Sequence, residues 1–431
     1  MKTSNISFKA NPAELINTLP KKMKPLVKLI SMQEGSSGMS HSRFVQDTAV
    51  NWAPKAIFSR SIPDFAEMSM LEFAESIIVY YFPKLLGENV FRKMYGKKLE
   101  KPVEKLISKP AADLFKEKNI KTEDIKKLIP VKAAISISAL AIPIAEYSLS
   151  YLKNLFTLKL FKQADFNNIA NLSKVKTEDE KKQDEVRKSA FKHIKIAGAV
   201  FAGCLGLSAL LITRGKNSKM LQSISEAVLI PGNKLFPKNE KKAAVINKYL
   251  SLDFKDSNGK LGLSHGQLTA CVAAGFLGYA GAAKDRGKQN LLEVLFRFPL
   301  VGFYVITGDE LFKNGFLKIL KKAGKCKEVI AENLKVPTLK ELPELAEKLA
   351  KENGTKVEDE FKKIFKQKSL ITTVPFLFSI GFMGMFVAGV SRLFTQYRYN
   401  QEQKKNLANQ SISFGKTSME EFQKQISSKK K

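Results

Sequence analysis

The sequence predicts an all-α membrane protein with three to five transmembrane helices and basic helical soluble segments. Long uncharged runs alternate along the 431 residues with Lys-rich stretches that have little apolar surface to bury. The strongest run, 370–390, contains no charged residue and lies between Lys368 and Arg392. At ~1.5 Å per helical residue it extends for about 31 Å, which matches a hydrocarbon core of ~30 Å. This run predicts a membrane span even when it is considered without the rest of the chain.

The first region, 1–130, is interpreted as a basic helical domain that lacks the apolar core of a cleavable signal peptide. Its clearest element is an amphipathic helix over 64–90, with apolar residues at helical spacing. The same helix carries two acidic pairs, Asp64 with Glu67 and Glu72 with Glu75. Without a histidine or a second acidic helix nearby in the sequence, these pairs indicate a face exposed to solvent.

The second region, 131–308, is predicted to be helical and embedded in the membrane. Four apolar runs are its candidate spans: 133–152, 196–213, 266–283 and 291–308. Between the first two lies a charged soluble loop, 153–193. The last two give a weaker signal, because Gly and Ala dominate one and two charged residues interrupt the other. Their short connection suits a helical hairpin, either of two spans or of two soluble helices.

The last third of the chain divides into three segments. Residues 309–369 are predicted to form charged soluble helices, and 370–392 contains the strongest transmembrane helix. The polar tail, 393–431, is expected to be disordered because it offers little apolar surface for packing.

Charge and cysteine content narrow the range of partners. The net charge is +31, but only nine of the 72 basic residues are Arg, the side chain that makes most base-reading contacts. The Lys excess therefore favours anionic membrane lipids as partners and argues against specific nucleic-acid binding. The three cysteines form no CxxC pair, so no zinc site, disulfide framework or other cofactor is predicted.

Residues 254–265 resemble an EF-hand calcium loop. The matches fall at positions three, five, six and eight of that pattern: Asp256, Asn258, Gly259 and Leu261. Phe254 and His265 occupy the first and last positions, where the pattern requires the strongest carboxylate ligands. An Asn-Gly turn between helices is the preferred interpretation.

Glu146 is the candidate functional residue inside a predicted span. Ionisable residues in membrane helices are often functional, and this carboxylate suggests proton or cation coupling. The alternative is that the span ends near Ile144, which would place Glu146 at the membrane interface.

Other candidates concern helix packing. Glu293 and Arg297 are four residues apart, so they are predicted to form an intrahelical ion pair. Small residues recur at this spacing and predict close helix contacts, within the chain or in an oligomer. These pairs are Ala199 with Gly203, Ala202 with Gly206, Ala274 with Gly278, Gly278 with Ala282, and Gly384 with Ala388.

Catalysis has little support in the sequence. The three histidines are scattered, and the chain contains no HExxH or GxxxxGK[ST] motif. The leading hypothesis is a non-enzymatic scaffold or membrane-organising protein in the bacterial inner membrane. A transporter or channel is the first alternative, and a soluble helical protein bound peripherally to anionic membranes is the second.

Overall fold

The computed structural model describes residues 12–34, 52–117, 119–173, 179–257 and 260–428. About 80% of the chain is helical, and within the described residues strands are confined to one short antiparallel hairpin. The prediction of an all-α fold with three to five candidate spans is therefore confirmed.

Seven α-helices precede the first candidate span in the part of the chain that the structure describes. In chain order they are α1 (Pro12–Asn17), α2 (Lys24–Glu34), α3 (52–57), α4 (Ile62–Phe82), α5 (Lys93–Gly96), α6 (Lys101–Glu104) and α7 (Ala111–Leu114). A π-helical segment, Pro83–Arg92, continues α4 directly into α5. The proline at its start lacks a backbone N–H, so the regular α-helical hydrogen-bond pattern cannot continue there.

The middle of the chain forms the centre of the bundle. Its helices are α8 (Thr122–Ser138), α9 (Ala141–Phe161), α10 (Phe166–Ile169), α11 (Glu180–Arg214), α12 (Lys219–Leu229), α13 (Pro231–Leu235) and α14 (Glu240–Leu250). Strands β1 (Lys255–Ser257) and β2 (Lys260–Gly262) follow, with Asp256 opposite Leu261. The predicted Asn-Gly turn, at Asn258 and Gly259, lies outside the described residues.

The remaining helices are α15 (His265–Arg286), α16 (Lys288–Phe303), α17 (Asp309–Lys322), α18 (Leu342–Asn353), α19 (Val357–Ser379) and α20 (Ala388–Ser428). π-helical segments join α16 to α17 and α19 to α20 without interrupting either rod. The tail, for which disorder is expected from its polarity, is helical to Ser428. Its sequence lacks proline after Val390 and is rich in Gln, Lys and Glu, which favour helix.

Within the described ranges, four helical stretches are long and apolar enough to cross a membrane: Thr122–Phe161, Glu180–Arg214, Lys288–Lys322 and Val357–Gln410. They contain four of the five predicted runs, whereas 266–283 lies in α15, which is not among them. The most apolar part of the first stretch is 78% buried inside the protein, but those of the other three are only 17–28% buried. The first stretch, which comprises α8 and α9, therefore lies inside the bundle, whereas the other three expose apolar surface on its outside.

Side-chain contacts fix the directions of the helices. A Cβ added at Gly278 or Gly281 would meet Tyr147 or Tyr151, respectively, so α15 runs parallel to α9. Helix α11 is antiparallel, because His193 contacts Tyr147 and Ser208 bonds to Ala134 on α8. Helix α4 is also antiparallel to α9, with Glu67 against Thr157 and Ile78 in the same core cluster as Ile142.

The first helices pack far from their sequence neighbours. Leu15, Leu19 and Ile30 share a core cluster with Phe361 and other residues of 317–371. Glu34 accepts a hydrogen bond from the backbone of Leu339 at 2.7 Å and pairs with Lys368 at 2.5 Å. Residues 12–34 therefore form one unit with α17–α19, while apolar residues between 71 and 114 pack elsewhere, against α8 and α9.

Candidate functional site

A charged cavity of about 110 Å³ lies between α4, α9, α15, α16 and α20. Its described lining includes five basic and five acidic side chains: Lys55, Arg60, Lys153, Arg297 and Arg392, with Asp64, Glu67, Glu72, Glu75 and Glu293. One wall is apolar, with Leu71, Phe298 and Val387 among its residues. Buried charges carry a large desolvation cost unless they are paired, so their pairing indicates what the cavity can do.

Arg60 is the centre of the first network. It precedes α4 and donates two hydrogen bonds to Glu293 on α16, at 2.9 and 3.2 Å. It also donates to Asp64, one turn into α4, through its side chain at 3.3 Å. Arg392, at the start of α20, lies 3.7 Å from the same Asp64 carboxylate. Three helices are thus joined by charge-assisted contacts.

The second network is centred on Glu67, which lies outside the four candidate spans. Its carboxylate pairs with Arg286, the last residue of α15, and accepts a hydrogen bond from Thr157. Lys153 is 4.0 Å away. Burial alone would raise the pKa of Glu67, but Arg286 and Lys153 outweigh burial and lower that pKa below its usual value. Glu67 therefore remains ionised although only 6% of it is exposed.

Two further acids lie on α4 beside this network. Glu72 pairs with Lys55 of α3, and Glu75 accepts a hydrogen bond from the hydroxyl of Tyr279 on α15. The interpretation of the acidic pairs as a solvent-exposed face is wrong, because Asp64, Glu67 and Glu72 are each more than 90% buried. They face the cavity, where basic residues distant in the sequence provide their partners.

Glu146 lies on α9, close to the cavity, and is 6% exposed. Its Oε1 atom has no hydrogen-bond partner among the described residues, and the carboxyl groups of Glu75 and Glu72 act electrostatically on it. The adjacent residue, Tyr147, bonds to His193 at 2.5 Å. His193 lies just before the apolar run 196–213 on α11, so Glu146 is level with the beginning of that run.

The predicted ion pair between Glu293 and Arg297 does not form. Glu293 is occupied on both oxygens by Arg60, a partner 233 residues away in sequence. Arg297 makes no hydrogen bond or ion pair within the described part of the chain and instead lines the cavity. A bidentate contact to a guanidinium is stronger than a single i,i+4 contact, which explains the choice of partner.

The predicted small-residue faces have different surroundings. On α15, Gly278 and Ala282 are buried and Ala274 is half-buried. A Cβ added at Gly278 would lie 2.5 Å from the carbonyl oxygen of Tyr147. Gly384 and Ala388 are also buried. By contrast, Ala199, Ala202, Gly203 and Gly206 are exposed on α11, and a Cβ at either glycine would meet nothing within 4 Å.

The carboxylate of Asp253, just before the loop that resembles an EF-hand, makes structural contacts. Asp253 lies 2.9 Å from the buried Lys132 of α8 and accepts a hydrogen bond from the backbone of Ala111 at 2.6 Å. Lys132 also donates to the carbonyls of Ile107 and Lys109. Asp253 is thereby committed to a structural contact, and within the described residues no group of acids, histidines and cysteines is arranged to hold a metal ion.

Sequence reasoning missed the basic half of the site. Arg60, Lys153, Arg286 and Arg392 come from four separate segments, and each flanks an apolar helix as ordinary surface residues do. One available signal was the spacing of Asp64, Glu67, Leu71 and Glu75, which places acids on the same helical face as apolar residues.

Comparison of the chain with protein-family models, curated proteins and solved structures finds no significant match.

Proposed function

We propose that the protein is a multi-pass membrane transporter that binds a small polar solute in the charged cavity. The observation that carries this proposal is the cavity itself, whose ten charged side chains lie on the apolar stretches or on segments packed against them. A purely structural core would be expected to use apolar contacts, because burying ions in pairs is seldom more stable than apolar packing. Polar cavities between helices are where transporters bind solutes.

Glu146 supplies the second part of the proposal, proton coupling. Its buried, unpartnered oxygen and its two acidic neighbours form a place where a proton is gained or lost as the surroundings change. Residence in a membrane, and in the bacterial inner membrane in particular, is part of the same proposal. The four apolar stretches support membrane residence; the choice of membrane remains a prediction from sequence.

Proteoliposomes test the proposal directly. Purified protein is reconstituted with a pH-sensitive dye inside the vesicles, and a mixture of amino acids, sugars and organic acids is added outside. We expect the wild type to move protons together with at least one solute. We expect Glu146→Gln to abolish the proton signal, because the amide keeps the shape of the side chain but cannot titrate.

Glu185→Gln is the matched control, because Glu185 lies exposed on α11 and should not affect flux. If wild-type vesicles show no solute or proton movement while the protein remains folded, the transport proposal is wrong. If flux persists unchanged in Glu146→Gln, transport stands and the coupling role of Glu146 is wrong.

A membrane scaffold is the second candidate function. The exposed small residues of α11 favour it, because helix α11 offers a smooth face without a partner among the described residues. A scaffold needs no solute site, so the same vesicle experiment separates the two functions.

A further inference from the structure

We propose that the solute is a small zwitterion, such as an amino acid, held between Arg297 and Glu75. This inference rests on the proposed function and names the class of solute. It follows from an inventory of the charges around the cavity, because nearly all of them already have a partner of opposite sign.

The pairing leaves one cation and one anion. Arg60 is paired with Glu293, and Arg392 with Asp64. Lys153 lies against Glu67, which also binds Arg286. Lys55 is paired with Glu72. Among the lining residues that the structure describes, only Arg297 and Glu75 are without an ion pair.

Arg297 and Glu75 lie on different helices, α16 and α4, with the cavity between them. Burial and the neighbouring Glu72 raise the pKa of Glu75 to about 7, whereas Lys55, the Tyr279 hydroxyl and Arg297 lower it; Arg297 and Glu75 form no ion pair within 4.0 Å. A ligand cation beside Glu75 would favour its ionised form. Arg297 is also close enough to act on Lys153 and Arg392, two cations that make its surroundings positive. Glu75, in turn, lies near two further carboxyl groups, Glu146 and Glu72, the second of which is paired with Lys55.

The cavity thus has two poles of opposite charge. A carboxylate would pair with the planar guanidinium of Arg297, and an ammonium group would pair with the carboxylate of Glu75. A ligand with both groups would satisfy both side chains at once, whereas a simple anion or cation would leave one of them unpaired. Leaving a buried charge unpaired is costly, so the cavity should discriminate strongly between these ligands.

Further polar and apolar groups suit this ligand class. Asn290, on the same face of α16 as Arg297, is 5% exposed, lines the cavity and has no partner for its Nδ2 atom among the described residues. Phe298 packs at 5.5 Å on Tyr279 and provides an apolar wall for a side chain. One water needs ~10–15 Å³, so about 110 Å³ holds a molecule of several heavy atoms.

Binding to the purified wild-type protein in detergent tests the inference without any transport step. The probes are L-alanine, β-alanine and γ-aminobutyrate, each compared with the amine and the carboxylic acid that lack one of its two charges. Calorimetry should show saturable binding of at least one zwitterion, at least about tenfold tighter than its singly charged analogues. Equal affinity for the analogues, or no binding by any zwitterion, would overturn the inference.

Variants then assign the two poles. We expect Arg297→Gln and Glu75→Gln each to weaken zwitterion binding by at least about tenfold. The exposed residues Arg187 and Glu185 of α11 provide matched controls, Arg187→Gln and Glu185→Gln, which should bind as the wild type does. Thermal unfolding shows whether each variant is folded, and if one fails to fold, the analogue comparison on the wild type still decides the question.

The outcomes separate this inference from the proposed function. Zwitterion binding without flux in vesicles would leave the inference intact and contradict transport. Flux of a solute that lacks one of the two charges, without zwitterion binding, would support transport and contradict the inference.

Discussion

At the scale of residues, the molecule depends on buried ions whose partners are distant in sequence. Among the described residues, Arg286 is the largest fully buried side chain, with 1% of it exposed, and it bonds to Glu67 on another helix. Glu293 similarly binds Arg60 in preference to its close neighbour Arg297. Such contacts connect helices that the apolar core alone would position less specifically.

Arg286→Met should therefore destabilise the protein strongly. Methionine fills a similar space, but it leaves the buried Glu67 without its principal partner, which costs about 3–5 kcal/mol for a broken buried pair. Thermal or denaturant unfolding in detergent measures the effect. Arg187→Met on the exposed face of α11 is the control and should change stability by less than about 0.5 kcal/mol. Similar unfolding midpoints for both variants would contradict a stabilising role for the Glu67 network.

At the scale of elements, the contact between α9 and α15 depends on small residues in α15. Gly278 allows the backbones to approach so closely that a single added carbon would lie 2.5 Å from the carbonyl oxygen of Tyr147. Asn154 then donates a hydrogen bond to the carbonyl of Ala282 at 3.0 Å. The two helices are thus fixed in register by backbone contacts.

Gly278→Ala and Gly203→Ala should have opposite consequences, although the sequence predicts the same role for both glycines. The first should destabilise by about 1–3 kcal/mol, because two backbones must move apart. The second adds a methyl group in open space on α11, and the higher helix propensity of Ala should leave stability unchanged or raise it by up to about 1 kcal/mol. Unfolding of the two variants in detergent makes the comparison. Equal destabilisation would contradict the exposure of Gly203 and show that this face of α11 packs against a partner.

At the scale of the whole molecule, apolar surface surrounds a charged interior. Three of the four apolar stretches direct most of their surface outwards, with exposed residues such as Val200, Phe303 and Phe386. In water, that arrangement would expose far more apolar area than monomeric soluble proteins usually show. In a bilayer it is the favourable arrangement.

Alkaline carbonate extraction of membranes from expressing cells tests this arrangement. We expect the protein to stay in the membrane pellet, because carbonate removes proteins held by charge but leaves those embedded in the hydrocarbon core. Washing with high salt should also leave it in place, whereas a peripheral protein bound through its lysines would be released as salt screens the attraction. Recovery in the carbonate supernatant would contradict membrane embedding and support the soluble helical alternative.

The sequence by itself determined the helical fold and the location of most apolar stretches. Uncharged runs of this length can satisfy their backbone groups in lipid only as helices, so composition and spacing suffice to find them. The sequence also identified Glu146, because a carboxylate within such a run is conspicuous whatever surrounds it. These features are local, and each is determined by residues within about two dozen positions of one another.

Only the tertiary structure decided which face of each helix is buried and which charges meet. In the sequence, Asp64 and Glu67 have the pattern of exposed acids. In the structure they contact Arg60, Arg286 and Arg392, which lie up to 328 positions away along the chain. The same holds for Gly278 and Gly203, which share a spacing pattern but not an environment. Electrostatic pairing and close packing depend on distances in space, and helical periodicity specifies a face without specifying its neighbour. The charged cavity is therefore a property of the assembled bundle.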